Sequence, residues 1–143
     1  MYSKAEMQQI KREFWIAFAE QYPRKWLLYD TKIKDFSFKF DADTRQAAVM
    51  IDIESKVEAK RHAYYEKLES LRSILAEDYI SDLIFHRDLT LETGKVISRV
   101  TIKIENVGIS NRGSWDDIFE FFNEKMSAFE IFFYEFEDYI KDI

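Results

Sequence analysis

The spacing of apolar residues alternates along this chain between the period of a helix and the period of a strand. From Lys4 to Gln21, apolar residues recur at three- and four-residue steps, which predicts an amphipathic helix that ends before Pro23. Apolar and polar residues then alternate over 36–40 and 47–53. This period of two predicts a pair of strands joined by the polar segment Asp41–Gln46.

The same order repeats in the second half of the chain. A helical pattern from Glu58 to Asp78 is followed by strand patterns over Leu83–Leu91 and Lys95–Glu105. Gly94 predicts the turn between these strands, because glycine readily adopts the positive φ that such turns need. Ser114 is the expected N-cap of a strongly apolar last helix. The sequence therefore predicts an α+β fold in the order α-ββ-α-ββ-α, with a four-stranded antiparallel sheet from two β-hairpins and three amphipathic helices.

Composition limits this fold to one ordered domain. The chain has 143 residues, of which 47% are hydrophobic and 17% aromatic, and it contains only three Gly and one Pro. It therefore has enough apolar volume for one core and lacks a linker or low-complexity segment. We expect a single domain over residues 1–143.

Charge and cysteine content narrow the functional classes. The formal net charge of −6 argues against nucleic-acid binding through overall charge, since that affinity depends on clustered Lys and Arg. The absence of Cys excludes disulfides and thiolate metal sites and is compatible with a reducing compartment. No segment is apolar over the length of a membrane span, and the N-terminus has no signal-peptide pattern. A cytoplasmic protein without membrane contact is expected.

One polar cluster follows from the strand register that makes one face of each hairpin apolar. In the first hairpin, pairing Asp41 with Gln46 places Asp35 opposite Asp52 on the outer face, with Glu54 two residues further along. Like charges directly opposite each other are destabilising. Such a pair needs cationic partners, a metal ion or a shared proton.

The second hairpin extends this cluster. A register that makes its inner face apolar places Asp88 opposite Arg99, and His86 opposite Thr101. The acids are either neutralised by basic residues on a solvated surface, or they form an open polar groove. The candidate residues of the polar sheet face are Asp35, Asp52, Glu54, His86, Asp88 and Arg99.

A metal-dependent enzyme is one interpretation of this cluster. Glu54-Ser55-Lys56 resembles the Glu-x-Lys half of a metal-dependent nuclease site, in which a carboxylate holds Mg²⁺ and the lysine stabilises an anionic transition state. Its metal ligands would be Asp35, Asp52 and Glu54, and Lys56 or Arg99 would hold phosphate. The chain has no phosphate loop or nucleophile elbow, and its two histidines are too few for a multi-His zinc site. No cofactor and no specific metal is predicted, and His62 is expected to be solvated.

Aromatic residues provide candidate contact surfaces. Most of the apolar stripe on the last helix is expected in the core. Phe121, Ile131 and Tyr134 lie outside the centre of that stripe and are candidates for a dimer or partner surface. Trp26 and Tyr29, which follow the first helix, are candidates for contact with a small anionic ligand held by Arg99.

Short motifs distributed from about Ile10 to Ile140 carry a family resemblance. They are Arg12-Glu13-Phe14-Trp15, Trp26 with Tyr29, Thr31 and Ile33, Phe38 with Asp41-Ala42-Asp43, Gly94-Lys95 with Ile97-Ser98-Arg99, and Trp115 with Ile118. Together they resemble a bacterial family catalogued only as a domain of unknown function. Its members occur alone or C-terminal to nuclease-like domains, which implies an accessory role near nucleic-acid processing. Lys32 departs from the family pattern, which often has Gly after Thr31.

The sequence favours a non-catalytic interaction or accessory module, with a homodimer or a protein partner expected. Its basis is the surplus of aromatic residues in a chain that has no common catalytic motif. The alternative is a metal-dependent nuclease or phosphodiesterase that uses the carboxylates of the polar sheet face.

Overall fold

The computed structural model describes residues 2–143. In chain order, its elements are α1 Lys4–Gln21, β1 Phe36–Ala42, β2 Gln46–Ile53, α2 Glu58–Ser70, α3 Arg72–Asp78, β3 Ile84–Thr90, β4 Val96–Glu105 and α4 Trp115–Lys141. The strands form one antiparallel sheet in the spatial order β1-β2-β4-β3, so that the two hairpins meet between β2 and β4. The predicted α+β class and four-stranded antiparallel sheet are confirmed.

The described residues contain four α-helices rather than the predicted three. The segment predicted as one helix from Glu58 to Asp78 is interrupted at Leu71, whose ψ of 10° lies outside the helical range. Leu68 and Leu75 on either side of this break are both buried, so the apolar spacing does not reveal it. Within residues 2–143, no helix combines the length and the apolar character that crossing a membrane requires.

Two serines precede helices but have different roles. The Oγ of Ser3 accepts a hydrogen bond from the Glu6 N–H at 3.1 Å, and Glu6 Oε1 accepts one from the Ser3 N–H at 3.0 Å. Ser114 directly precedes α4 as predicted, but its hydroxyl makes no capping bond to any described residue. Its Oγ instead accepts from the Gly108 N–H at 3.0 Å and lies 2.7 Å from the Asn111 carbonyl, so Ser114 fastens the loop before α4.

The first hairpin has a tighter turn than predicted. Asp43 Oδ1 accepts from the N–H groups of Arg45 and Gln46, at 2.7 and 2.9 Å, and this closes a turn over residues 43–46. Phe36 therefore pairs with Ile53 rather than with Ile51. The predicted register of β1 and β2 is therefore wrong by two residues. Every side chain stays on its predicted face of the sheet but has a different partner on the neighbouring strand.

The second hairpin contains an irregularity that the sequence did not predict. Leu89 pairs with Ile97 near the turn, whereas His86 pairs with Arg99 further along. Two residues of β3, Arg87 and Asp88, are thus opposite one residue of β4, which is a β-bulge. The predicted pairings of Asp88 with Arg99 and of His86 with Thr101 are wrong by two positions. The bulge accounts for one of them, and the other arises at the turn, where Val96 pairs with Thr90.

The core lies between one face of the sheet and three helices. Phe40 contacts Phe18 of α1 with ring centroids 5.2 Å apart, and Phe38 contacts Phe129 of α4 at 6.0 Å. Phe36 contacts Tyr64 of α2 at 5.9 Å. Full burial of such a side chain stabilises the fold by about 2 kcal/mol, so this aromatic layer is a main source of stability.

The other face of the sheet is polar at its centre but well packed. Ala48, Met50 and Ile97 are buried there, outside the main core cluster. Asp52 and Thr101 are also buried on this face, each at 1% exposure. Long charged side chains of neighbouring strands cover these residues, so the face is not a simple solvated surface.

Lys32 occupies a backbone position that suits glycine. Its φ is 64°, in the left-handed region that costs a residue with a side chain about 1–2 kcal/mol. The resemblance placed a frequent Gly at this position, and the backbone explains that preference. In this chain Lys32 adopts the same turn and donates from Nζ to Asp30 at 2.7 Å.

Candidate functional site

Asp52 is the centre of a closed ion-pair network. Its carboxylate is 1% exposed and accepts two hydrogen bonds from Arg99, from Nε to Oδ1 at 2.7 Å and from Nη2 to Oδ2 at 2.9 Å. Lys39 Nζ lies 3.2 Å from Oδ2 on the other side. The hydrogen bond from Asp52 raises the pKa of Arg99, against the opposing effect of burial. Both oxygens of Asp52 are thus bound by cations, and these positive charges oppose the binding of a metal ion there.

Glu54 continues this network along the same face. Lys39 Nζ donates to its Oε2 at 2.9 Å, and Lys95 Nζ donates to its Oε1 at 3.1 Å. Burial opposes ionisation of Glu54, but the hydrogen bonds from Lys39 and Lys95 outweigh it and lower the pKa. The negative charges of Asp52 and Glu54 are thus neutralised by basic side chains. Lys95 is one of these partners, and the sequence pattern did not predict it.

Asp35 does not oppose Asp52, contrary to the predicted register. Ser37 is the residue paired with Asp52, because the first hairpin is shifted by two positions. Asp35 lies before β1 with a φ of 61°, and its carbonyl accepts from the Glu54 N–H at 2.7 Å. The proposed ligand set of Asp35, Asp52 and Glu54 is therefore not assembled as a metal site.

His86 lies across from Arg99 and beside Lys103. These residues line a hollow of about 180 Å³ on the outer face of the sheet. Burial lowers the pKa of His86, and the positive charges of Lys103 and Arg99 lower it further. His86 is accordingly held in its neutral form near pH 7.

Asp88 is separated from the other predicted residues by the β-bulge. Its Oδ1 accepts from Arg61 Nη1 at 2.9 Å and lies 2.8 Å from His62 Nε2. Arg61 is only 4% exposed and also donates from Nη1 to the Arg87 carbonyl and to Ser98 Oγ. The hydrogen bond with His62 lowers the pKa of Asp88 most, and the hydrogen bond with Arg61 lowers it further.

Sequence reasoning missed Arg61 and His62 as partners of Asp88. Both lie in a charged stretch that was expected to be solvated, whereas Arg61 is buried and His62 packs against Asp88. A buried arginine within a polar helical stretch gives no signal in the hydrophobic pattern. Only the position of the bulge on β3 brings these three residues together.

A polar cavity of about 440 Å³ lies at this end of the sheet. It is lined by Glu54, Ser55, Lys56, Glu58, Arg61, Asp88, Lys95 and Val96. The tripeptide Glu54-Ser55-Lys56 thus lies on a cavity wall, as an anion-handling or metal-handling site would require. Three acidic and three basic side chains share the lining, so the cavity has mixed charge rather than one dominant sign.

An aromatic groove lies on a different side of the domain. One hollow of about 460 Å³ and a second of about 300 Å³ share Trp15, Leu28 and Phe40. We call the two hollows together the aromatic groove. Its side chains are mainly apolar, and they include Trp15, Phe18, Tyr22, Trp26, Leu28, Tyr29, Phe38 and Phe40.

The groove contains both predicted ligand-contacting residues. Trp26 is stacked on Phe18, and the Arg24 guanidinium lies 3.9 Å from the centre of the Trp26 ring. Tyr29 is 71% exposed at the rim. Arg99 does not line the groove and is bound to Asp52 on the outer sheet face, so the predicted combination with Arg99 is not assembled.

A buried glutamate fixes one wall of the groove, and the sequence did not single it out. Glu130 of α4 accepts from the Leu27 N–H at 2.7 Å and from Arg24 Nη2 at 2.6 Å. These bonds attach the segment after α1 to α4. The groove is therefore bounded by a fixed segment rather than by a free loop.

The predicted contact surface on α4 is only partly available. Phe121 is buried in the core and is not a surface residue, because its side of α4 faces the packed interior. Ile131 and Tyr134 are exposed, as predicted. Two exposed side chains three residues apart make a small apolar patch.

Comparison with known proteins identifies the family but no function. Neither a curated protein nor a solved structure matches the chain. The family profile described as "Domain of unknown function (DUF4268)" matches residues 10–137, which is 128 of the 143 residues. The resemblance seen in the sequence is thereby confirmed as membership of an uncharacterised family. The chain belongs to the family described as Domain of unknown function (DUF4268).

Proposed function

We propose that this domain is a non-catalytic protein-binding module whose aromatic groove binds an extended segment of a partner protein. The observation that carries this proposal is the position of the groove beside β1, an edge strand whose outer side is only partly hydrogen-bonded. The groove offers apolar contacts, and the strand edge offers backbone hydrogen bonds.

The edge of β1 is only partly occupied. The Phe38 N–H points away from β2 and donates to the Leu28 carbonyl at 2.9 Å. The Phe40 N–H points the same way, because residues two apart on a strand have the same orientation. It finds no acceptor among residues 2–143. An added strand would continue the hydrogen bonding that Leu28 begins.

The chemistry of the groove defines the partner segment. Aromatic walls favour a large apolar or aromatic anchor, since such side chains dominate the energy of peptide recognition. The segment 24–34, part of which lines the groove, contains four basic residues and one acidic residue, in a chain whose net charge is −6. The expected ligand is therefore an extended segment with an aromatic or large aliphatic anchor and acidic neighbours.

Selection from a random peptide library displayed on phage tests this proposal. Peptides with an apolar anchor and acidic flanks are expected to be enriched on the native domain. The most enriched peptide, once synthesised, is expected to bind the Tyr29→Ala variant about tenfold more weakly than the native domain. This corresponds to the loss of one good aromatic contact of roughly 1.4 kcal/mol.

Tyr134→Ala is the matched control, because Tyr134 is a similarly exposed tyrosine, at 61%, outside the groove. It is expected to bind the peptide as the native domain does. Equal weakening by both variants, or no enrichment above a blank surface, would contradict the proposal. Concentration-dependent self-association that Tyr29→Ala abolishes would identify a second copy as the occupant instead.

The nuclease or phosphodiesterase alternative retains one supporting observation. Lys56 and Arg61 line the polar cavity together with Glu54, although the predicted ligands Asp35 and Asp52 do not. The proposed accessory role near nucleic-acid processing rests on the family resemblance alone. Cleavage of single- or double-stranded nucleic acid with Mn²⁺ or Mg²⁺, abolished in Lys56→Ala, would favour this alternative.

A further inference from the structure

We propose that Glu58, His62 and Asp88 form a binding site for a divalent transition-metal ion such as Zn²⁺. One ligand atom from each residue lies within 4.8 Å of the other two. The site goes beyond the proposed binding function, and it shares no residue with the aromatic groove.

The geometry of the three ligands suits a single ion. Glu58 and His62 are four residues apart on the first turns of α2, so their side chains project from the same face. His62 Nε2 lies 2.8 Å from Asp88 Oδ1 and 3.9 Å from Glu58 Oε1. Two ligand atoms bound to one tetrahedral zinc ion are about 3.3–3.6 Å apart, since each lies about 2.0–2.2 Å from the metal. To bind one ion, His62 Nε2 and the Asp88 carboxylate would therefore move slightly apart, and Glu58 would move closer to both.

Asp88 is held in place but keeps a free oxygen. Both of its hydrogen-bonding contacts, with Arg61 and with His62, use Oδ1. Oδ2 has no partner among residues 2–143, so its lone pairs are available to a metal ion. The bulge on β3 directs this carboxylate towards α2, and bulges commonly reorient a side chain in this way.

The surroundings provide the outer support that metal sites need. Arg61 is buried and binds the Arg87 carbonyl, Ser98 Oγ and Asp88 Oδ1 together, which fixes the carboxylate against the sheet. Outer hydrogen bonds of this kind orient ligands and raise metal affinity. Arg61 also offsets one of the two carboxylate charges, which favours an ion that binds imidazole strongly over Mg²⁺ or Ca²⁺.

Three protein ligands leave coordination positions open. Glu58 and Asp88 line the polar cavity of about 440 Å³, so the open side of the ion would face that space. A closed structural zinc site has four protein ligands, whereas sites with three retain water or an exogenous ligand. The expected state is one ion per chain with at least one bound water.

Titration of the untagged full chain with Co²⁺ and Zn²⁺ tests this site directly. Co²⁺ is the spectroscopic probe, and Zn²⁺ is added for calorimetry and competition. One ion per chain is expected. In NMR spectra, Co²⁺ is expected to shift and broaden the imidazole signals of His62 but not those of His86, the only other histidine in the sequence.

Three variants separate the site from non-specific binding. His62→Gln and Asp88→Asn are each expected to weaken Zn²⁺ binding by at least about 100-fold, the upper end of the loss caused by removing an outer partner. His86→Gln is the matched control and is expected to bind as the native chain does. Circular dichroism shows whether each variant is folded.

Several results would overturn the proposal. They are the absence of saturable binding at millimolar Zn²⁺, broadening of the His86 signals in place of those of His62, and unchanged affinity in a folded His62→Gln variant. Unchanged affinity in a folded Glu58→Gln variant would also overturn the proposed site, because the site consists of all three ligands.

Discussion

The two hairpins of the sheet have the same predicted pattern of apolar and polar residues, but their buried and exposed carboxylates lie in different environments. The first pairs regularly from Phe36 to Ala42 and places Asp52 at 1% exposure among cations. The second is broken by a bulge, and its Asp88 is 48% exposed beside a cavity. The regular hairpin thus buries its carboxylate in a closed network, whereas the irregular one presents its carboxylate at an open surface.

In such a sheet, a ligand site can form where an acidic side chain is not already neutralised by its neighbours. A carboxylate whose two oxygens are both bound by cations contributes to stability, and the positive charges around it oppose the binding of a metal ion. A bulge breaks the alternation of side chains and moves one carboxylate out of the central network. The candidate metal site depends on that displacement, and the closed network does not.

The largest expected effect comes from Asp52→Asn. This change leaves Arg99 and Lys39 without their shared counter-charge in a packed environment. Breaking such a pair is expected to lower the free energy of unfolding by about 3 kcal/mol. Urea denaturation monitored by tryptophan fluorescence measures it.

Asp88→Asn is the matched change on the second hairpin, measured with EDTA present so that no metal contributes. A clearly smaller loss is expected, because Asp88 is half exposed and Arg61 keeps its bonds to Arg87 and Ser98. Equal losses in the two variants would show that the hairpins do not differ as described.

The turns of the two hairpins provide the next comparison. A Cβ on Gly108 would lie 2.3 Å from the Thr44 carbonyl oxygen, a backbone atom at the turn of the first hairpin. Gly94 in the second turn has open space around it but a φ of 88°. Gly108→Ala is expected to cost about 2 kcal/mol through overpacking, and Gly94→Ala about 1 kcal/mol through backbone strain.

Thermal unfolding of both variants measures this difference. The lower melting temperature is expected for Gly108→Ala, because the loop of Gly108 is fastened to the first turn by the Ile109 N–H bond to Asp43 at 3.0 Å. A larger loss in Gly94→Ala would mean that the first turn moves aside easily. The first turn would then be no more restricted by its surroundings than the second.

The hydrophobic pattern was sufficient for the class of fold and for the strand faces of the first hairpin, but not for the alternation of side chains at the bulge on β3. It could not fix the register of the first hairpin, because a shift of two residues preserves every inward and outward position. Phe36 therefore stayed on the core face while its partner changed from Ile51 to Ile53. The break at Leu71 was invisible for a similar reason, since buried leucines continue on both sides.

The candidate site was less predictable than the fold. Asp88, Trp26 and Tyr29 were singled out from the sequence, but their neighbours depend on long-range packing. Arg61 reaches Asp88 across 27 positions of sequence because a bulge directs the carboxylate towards α2. A bulge without glycine leaves no local signal in the sequence, so such a contact requires the three-dimensional structure.

The smallest expected effect is a difference in pH response between the hairpins. The pKa of His86 is lowered below its usual 6.5 by burial and by Lys103 and Arg99. The unfolded chain therefore binds this proton more readily, so stability is full above pH 6.5 and falls as the pH drops below it. Glu54 on the first hairpin also has a lowered pKa, because Lys39 and Lys95 outweigh its burial. Its contribution is lost only in a more acidic range, as the pH falls below about 4.5.

Denaturation curves between pH 8 and about pH 3.5 can separate these two contributions. His86→Gln is expected to flatten the dependence of unfolding free energy on pH around and below 6.5, and to leave the acidic range unchanged. Glu54→Gln is expected to do the opposite, because its window lies below that of the histidine. If His86→Gln instead made the loss of unfolding free energy near pH 6 steeper, the charged imidazole of the native chain would be stabilising the folded state. His86 would then have an anionic partner in place of the two cations that surround it in this structure.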